Sequence, residues 1–389
     1  MLLENKKAFD RCNITAYHRM GYQGQGVKIA LLDLQFKPNE VFGDNIEFPL
    51  GYDEEKEANH GSMTANIINQ ILPKATIYAL PWGSRSLEFC LENDIQIINM
   101  SGAYRGGSRP SRFLEISKKI YEDGGKLFSS AGNYSEQEKL YYPARSRHWC
   151  SVGAVTWNRV TDNLTLRPYS SYTKEEQEKI KKQVEICGVT MNQVVHFDSR
   201  GNLTTIPYGG TSGASPFVAS MAGLIDQKFE KKDLEQFRDF KQDTTLPVSD
   251  QDGYCLRTGY GLLQLPVEDK KVVLVIGENE ISINEQIKEM DVAPFLRNER
   301  TFVPLRFVSE ALGYDVEWRE KEEIVKIGHD VIVKIGDKKI KTDTFEYEMD
   351  VEPFVEDNRT FVPLRFVSEV LGYDVTWKEA ERKVIIENF

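Results

Sequence analysis

The 389-residue sequence contains no apolar run that approaches the roughly 20 residues needed to cross a bilayer. Its first residues, MLLENKKAFD, also lack the apolar stretch and the cleavage site of a signal peptide. These two absences predict a chain that does not span a membrane and is cytoplasmic. If the chain is a processed form, an extracellular or wall-associated location is the alternative.

Positive charge is scarce relative to negative charge. The sequence has 49 Lys and Arg against 60 Asp and Glu, which gives a net charge of −11. Since a nucleic-acid surface needs clustered Lys and Arg to neutralise phosphates, this balance argues against nucleic acid as a partner.

Cysteine and histidine are also rare, with five of each. An odd number of cysteines with no CxxC or Cys/His ligand spacing indicates neither a disulfide framework nor a zinc site. We therefore expect reduced and mostly buried thiols at Cys12, Cys90, Cys150, Cys187 and Cys255.

The first two thirds of the chain alternate short apolar runs with helical patterns. VKIALLD, TIYALPW, IQIINMS and KLFSSAG are typical of strands buried on both faces. MTANIINQIL has helical apolar spacing and is ended by Pro73. This alternation predicts an α/β domain over residues 1–265, with a parallel sheet covered by helices and active groups at the carboxyl ends of its strands.

The last third contains an internal repeat. RTFVPLRFVSEALGYDVEW at 300–318 returns as RTFVPLRFVSEVLGYDVTW at 359–377. We expect two small α+β repeat domains, at 271–328 and 330–389, each with strands around one short helix and a small core of its own.

One short segment has the composition of a catalytic turn. GGTSGASPFVASMAGLI, residues 209–225, places Ser212 at the start of a helix, with Pro216 in the first turn. The unbonded N–H groups and the positive dipole end of such a helix favour negative charge on a bound oxygen. A serine there could attack a carbonyl group if a base and an orienting acid were near.

The base and the acid can be sought among few residues. His60 begins a helical pattern and is followed by glycine, whereas His18, His148, His196 and His329 have no comparable setting. Asp33 ends the apolar run VKIALLD, where a lone carboxylate needs a buried partner such as an imidazolium.

Residues 8–265 resemble the subtilisin-family serine proteases. GVKIALLD, NHGSMTANII and GTSGASPFVA resemble the family's aspartate, histidine and serine segments, in the family's chain order. The resemblance implies a subtilisin-like fold and a serine endopeptidase that cleaves polypeptides, with Asp33 as orienter, His60 as general base and Ser212 as nucleophile.

Two further segments resemble the same family. FSSAGN implies that Asn133 and the Ser212 N–H form the oxyanion hole, and INMSGA implies that Ser101, Gly102 and Ala103 bind the substrate backbone. The chain departs from the family pattern at Leu34-Gln35 and Ser62-Met63, which could reshape the cleft. It also lacks the insertion of the family's calcium loop, so no cofactor is expected, and calcium is possible but not indicated.

The tandem repeats resemble the stalk-type module named after the N-terminal domain of copper amine oxidases. His329 is their one imidazole, and one histidine is no copper site. The resemblance implies an accessory role in targeting, binding or assembly, with a cell-wall or protein partner. The sequence does not determine the oligomeric state.

Two functions from different classes remain. The first is the endopeptidase described above. The second is a catalytically silent subtilisin fold that serves as a binding scaffold, and the residues after Asp33 and His60 are its support.

Overall fold

A computed structural model describes residues 5–34, 36, 44–51, 59–104, 110–137, 139–157, 163–173, 183–197, 202–229, 233–240, 245–248, 255–343 and 346–388. Contacts divide the chain into two compact units. The larger unit contains Asn5 and Gln23–Leu265, and the smaller unit combines Lys6–Tyr22 with Pro266–Phe389. The structure therefore differs from the expected 1–265 domain, because the segment 6–22 packs with the repeats.

A mostly parallel sheet forms the centre of the larger unit. Its first strands are short apolar runs, such as KIALL, in which every side chain after Lys28 is buried because helices cover both faces of the sheet. The strands of this unit are β1 (Lys28–Leu32), β2 (Ile46–Glu47), β3 (Thr76–Leu80), β4 (Ile97–Met100), β5 (Lys126–Ser130), β6 (Cys150–Trp157), β7 (Leu164–Leu166), β8 (Ile186–Val189), β9 (Asn192–Phe197), β10 (Leu203–Tyr208), β11 (Thr245–Leu246) and β12 (Leu262–Leu263).

The strand order of this sheet is β11-β12-β8-β6-β5-β4-β1-β3-β2, with β7 paired to β6 and with β9 and β10 forming a separate hairpin. All the pairs from β2 to β12 along this order are parallel, and β11 is antiparallel to β12. The carboxyl ends of β1 and β4 therefore meet at one edge of the sheet.

Helices cover both faces of the sheet. The helices of the larger unit are α3 (His60–Ile71), α4 (Ser84–Glu92), α5 (Ser111–Glu122), α6 (Gly210–Lys228) and α7 (Leu234–Phe240). The two helices before them in the chain, α1 (Lys6–Arg11) and α2 (Ile14–Arg19), belong to the smaller unit. The central helix α6 packs against α3 and strands β4, β5, β6 and β8, so it brings its first turn to the edge where the strands end. The expected α/β fold is confirmed.

The smaller unit consists of antiparallel sheets and two short helices. The first repeat contains β13 (Lys271–Val275), β14 (Glu280–Ile283), β15 (Gln286–Glu289), β16 (Phe295–Arg297), β17 (Arg300–Pro304), α8 (Leu305–Ala311), β18 (Val316–Arg319) and β19 (Ile324–Ile327). The second contains β20 (Val331–Lys334), β21 (Lys339–Lys341), β22 (Glu346–Glu348), β23 (Phe354–Glu356), β24 (Arg359–Pro363), α9 (Leu364–Val370), β25 (Tyr373–Lys378) and β26 (Lys383–Asn388).

The two repeats share their sheets. The sheet orders are β15-β14-β13-β26-β25, β16-β17-β24-β23 and β18-β19-β20-β21-β22, so each sheet combines strands of both repeats. Residues of both repeats also form one hydrophobic core. The expectation that each repeat has a core of its own is therefore wrong, because the strands of one copy complete the sheets of the other. Trp318 of the first repeat is 41% exposed.

The thiol prediction is confirmed. All five cysteines are free, and all except Cys255 are buried. Among the helices of the described ranges, none is both long and apolar enough to cross a membrane.

Candidate active site

Asp33 follows directly on β1, at the carboxyl edge of the sheet. Its side chain is 1% exposed, and its backbone N–H donates to the carbonyl oxygen of Leu80 at the end of β3. The carboxylate accepts the Leu34 N–H at 2.7 Å. Burial raises the pKa of Asp33, while hydrogen bonds from His60, Leu34 and Thr64 act to lower it.

His60 is the first residue of α3, and its imidazole lies beside that carboxylate. The distances from Nδ1 of His60 to the two carboxylate oxygens of Asp33 are 2.8 and 2.9 Å. Burial tends to lower the pKa of His60, but the hydrogen bond and the negative charge of Asp33 raise it, and the net pKa lies above the ordinary value. Nδ1 is thus the protonated nitrogen in the neutral ring, and Nε2 is left as a basic acceptor.

Ser212 lies in the first turn of α6, which begins at Gly210, so Pro216 falls in the second turn and not in the first. Because a proline has no N–H, Pro216 cannot donate to the carbonyl oxygen four residues earlier, which belongs to Ser212. The Ser101 hydroxyl takes that acceptor at 2.9 Å. In return, the Ser212 hydroxyl donates to the Ser101 carbonyl oxygen at 3.2 Å.

Side chains from elsewhere in the larger unit cap the first turn of α6. The Gly210 N–H donates to the Tyr169 hydroxyl at 3.0 Å, and the Thr211 N–H donates to Oδ1 of Asn133 at 2.9 Å. The Thr211 hydroxyl donates to the same Oδ1 at 3.0 Å. These bonds fix the amide of Asn133 with its oxygen toward Thr211, which leaves Nδ2 as a donor. The Ser212 N–H is another donor of this turn, whose N–H groups have no acceptor within the helix.

Gly210 permits this close approach. A Cβ at Gly210 would lie 2.9 Å from Nδ2 of Asn133, and the φ of Gly210 is +74°, a conformation that side chains disfavour. Any larger residue would displace the amide.

The segment Ser101, Gly102 and Ala103 continues β4 beyond the sheet. Trp82 lies over Gly102, because a Cβ at that position would be 1.8 Å from Cζ2 of the indole. The indole N–H donates to the carbonyl oxygen of Leu32 at 3.1 Å, which fixes the ring. Trp82 therefore forms a wall beside this segment, and sequence reasoning did not identify it.

The structure brings the predicted site residues to one edge of the larger unit. Asp33 contacts His60 directly, Asn133 contacts the residue before Ser212, and Ser101 contacts Ser212. The proton of the Ser212 hydroxyl is directed to Ser101, and not to His60, in this conformation.

Gln35, one of the two departures after Asp33, lies outside the described residues.

Two hydroxyl residues at this site were also missed. Thr64 and Tyr208 contact Asp33 and His60 respectively. One signal in the sequence could have indicated Thr64, because it follows His60 by four residues and so lies on the same helix face.

This fold and this arrangement define a subtilisin-like α/β unit followed by small antiparallel sheets. The family model of the subtilase family matches residues 24–261, and that of the copper amine oxidase N-terminal domain matches 263–327 and 323–386. The chain belongs to the subtilase family.

Individual relatives agree with the family match. The chain is similar to a thermostable alkaline protease of Halalkalibacterium halodurans, with 26% identity over 58% of this chain and 64% of that protein. It is 24% identical to subtilisin BL of Lederbergia lenta, over 63% of this chain and 92% of that protein. The chain thus spans less than two thirds of the length of the first of these relatives.

A solved structure supports the fold. The prenylagaramide maturation protease PagA matches with a TM-score of 0.52 and 20% identity, over 65% of this chain and 95% of that chain.

Proposed function

We propose that this protein is a serine endopeptidase that hydrolyses polypeptides through Asp33, His60 and Ser212. The observation that carries the proposal is the buried carboxylate of Asp33, 2.8 Å from Nδ1 of His60, at the same edge as a serine in the first turn of a helix. Membership in the subtilase family and the relatives named as an alkaline protease and as a subtilisin support it.

The proposed reaction begins when the Ser212 hydroxyl turns from Ser101 toward Nε2 of His60. His60 accepts the proton while Oγ attacks the substrate carbonyl carbon, and Asp33 stabilises the imidazolium that forms. His60 then returns the proton to the leaving amine, which leaves an acyl-enzyme on Ser212. Water then attacks the acyl carbonyl carbon while His60 takes its proton, and His60 returns that proton to Oγ of Ser212 as the bond to the acyl group breaks. The proposed steps use these side chains and one water molecule, and no cofactor is proposed.

The oxyanion of the tetrahedral intermediate would be bound by Nδ2 of Asn133 and the N–H of Ser212. The substrate backbone would pair with Ser101, Gly102 and Ala103 as an added strand. Trp82 would limit the space on one side of that strand, since it fills the position of a side chain at residue 102.

We expect Asn133→Leu to lower kcat by roughly 10²–10³-fold with little change in KM, because its amide would meet the charged oxygen formed in the transition state. Steady-state kinetics on a chromogenic peptide measures both constants. As a control, Asn93→Leu replaces an asparagine whose amide donates to the carbonyl oxygen of Phe89, and it should leave kcat unchanged. A change in KM alone for Asn133→Leu would contradict the proposed role.

The repeats of the smaller unit are proposed as accessory elements for targeting, binding or assembly, with a cell-wall or protein partner. Their match to the copper amine oxidase N-terminal domain supports a separate role from hydrolysis. No copper is proposed there, because His329 is the repeats' one histidine.

A fluorophosphonate probe tests the proposed function directly. The probe should form one covalent adduct per chain, mapped by peptide mass spectrometry to Ser212, because attack requires an activated serine. The Ser212→Ala variant should remain unlabelled, and Ser220→Ala, which changes a buried serine of the same helix, should label normally. Folded protein without label would favour the silent scaffold.

A further inference from the structure

Two buried hydroxyl groups lie behind the Asp33 and His60 pair. Thr64 is fully buried, and Tyr208 is 7% exposed. Oγ1 of Thr64 lies 3.0 Å from the Tyr208 hydroxyl oxygen and 3.4 Å from Oδ2 of Asp33. The imidazole of His60 meets the Tyr208 ring edge to face, with centroids 5.6 Å apart. The two residues thus contact both members of the pair.

The protons of these groups limit how they can bond. The Tyr208 phenol remains protonated at neutral pH, because burial and then the charge of Asp33 raise its pKa more than its hydrogen bonds with Thr64 and Ser212 lower it. If Tyr208 donates to Oγ1 of Thr64, the single proton of Thr64 goes to its other neighbours. These are the His60 carbonyl oxygen at 3.0 Å and the Asp33 carboxylate, and a bond to the charged oxygen is the stronger type.

The other oxygen of the carboxylate is already bonded. Oδ1 of Asp33 accepts the N–H of Leu34, and both carboxylate oxygens lie near Nδ1 of His60. Thr64 therefore adds a donor on the Oδ2 side, at 3.4 Å, and the imidazole of His60 also packs against the Tyr208 ring.

We propose that Thr64 and Tyr208 are positioning residues of the active site: the Thr64 hydroxyl orients the Asp33 carboxylate, and Tyr208 holds both Thr64 and the imidazole of His60. This proposal rests on the proposed function, in which His60 must present Nε2 to Ser212. Neither residue needs to touch the substrate.

The sign of the expected effect follows from charge. When His60 is protonated, the Asp33 and His60 pair is neutral overall, and when His60 is neutral, the pair carries one negative charge. A hydrogen-bond donor to Asp33 stabilises the negatively charged pair more than the neutral pair. Loss of the Thr64 hydroxyl therefore raises the pKa of His60. Asp33 and Tyr208 are the titratable groups that face His60 among the described residues.

The experiment compares Thr64→Val, Thr64→Ser, Tyr208→Phe and the control Ser220→Ala with the full-length parent protein. Fluorophosphonate titration gives the concentration of active enzyme, so misfolded protein does not distort the constants. We expect Thr64→Val to move the acid limb of kcat/KM upward by about half a pH unit, and Thr64→Ser to restore it. Tyr208→Phe should lower kcat by about 3–10-fold at constant KM. Ser220→Ala should change neither.

A second measurement does not depend on turnover. The pKa of His60, followed by NMR titration in a Ser212→Ala background, should rise in the Thr64→Val variant by the same amount. Failure of the parent protein to hydrolyse peptides would contradict the proposed function and leave this titration as the test. An unchanged His60 pKa in Thr64→Val, or an equal change in Ser220→Ala, would overturn the positioning role.

Discussion

Ser212→Ala is expected to lower kcat for peptide hydrolysis by about 10⁶-fold, the magnitude known for subtilisin itself, while the protein stays folded. The physical reason is that alanine has no group to attack the carbonyl carbon or to carry the acyl intermediate. Because Ser212 is partly exposed and its side chain is small, the loss of the hydroxyl leaves no large cavity. Circular dichroism and chromogenic peptide kinetics measure the two parts of this expectation.

The matching expectation concerns His60. His60→Ala should lose activity by a similar factor, and the double variant should lose no more than either single one, since the residues act as a unit. These variants should still accelerate hydrolysis by about 10³–10⁴-fold over the uncatalysed reaction in water, and this remainder would come from the oxyanion hole and substrate binding. Ser220→Ala serves as the control for a serine lost from the same helix. Substantial turnover by purified Ser212→Ala protein would refute the assignment of the nucleophile.

Much of the larger unit could be predicted from sequence, because its strands are short buried runs whose pattern is local. Local patterns also predict that Asp33 directly follows β1 and that His60 begins α3. What could not be predicted depends on partners distant in sequence. The helix start at Gly210 is set by Tyr169 and Asn133, about 40 and 80 residues away, and no local pattern records those bonds.

The smaller unit shows a second limit. Near-identical repeats have the same apolar pattern whether a strand pairs with its own copy or with the other. The pattern therefore predicts strands but cannot decide that Val272 faces Ile386 and that Val303 faces Val362. Nor does it predict that the segment 6–22 joins this unit through Arg19, whose partner Asp330 is 311 residues away.

Arg19→Met is expected to destabilise the smaller unit by about 3–5 kcal/mol, because it leaves the buried carboxylate of Asp330 without its cation. Nη1 of Arg19 lies 2.6 Å from Oδ2 of Asp330, and the two side chains are 1% and 0% exposed. Nε of Arg19 also donates to the carbonyl oxygen of Val370 at 3.0 Å, so the guanidinium joins α2 to both the start and the helix of the second repeat. Hydrogen exchange measured at increasing urea concentration, in peptides from residues 324–388, gives the lost free energy of unfolding.

Two further variants separate the ion pair from the general effect of mutation. Lys7→Met removes an exposed cation of the same segment and should change stability by less than about 0.5 kcal/mol. The double variant Arg19→Met with Asp330→Leu should recover much of the loss, because replacing both partners of a buried pair with apolar groups is often neutral or stabilising, whereas removing one is not. If Arg19→Met left exchange in these strands unchanged, the segment 6–22 would not be an energetic part of the smaller unit. A fragment that begins at Pro266 lacks Arg19 and the rest of segment 6–22. We therefore expect this fragment to be less stable than the same residues in the full chain.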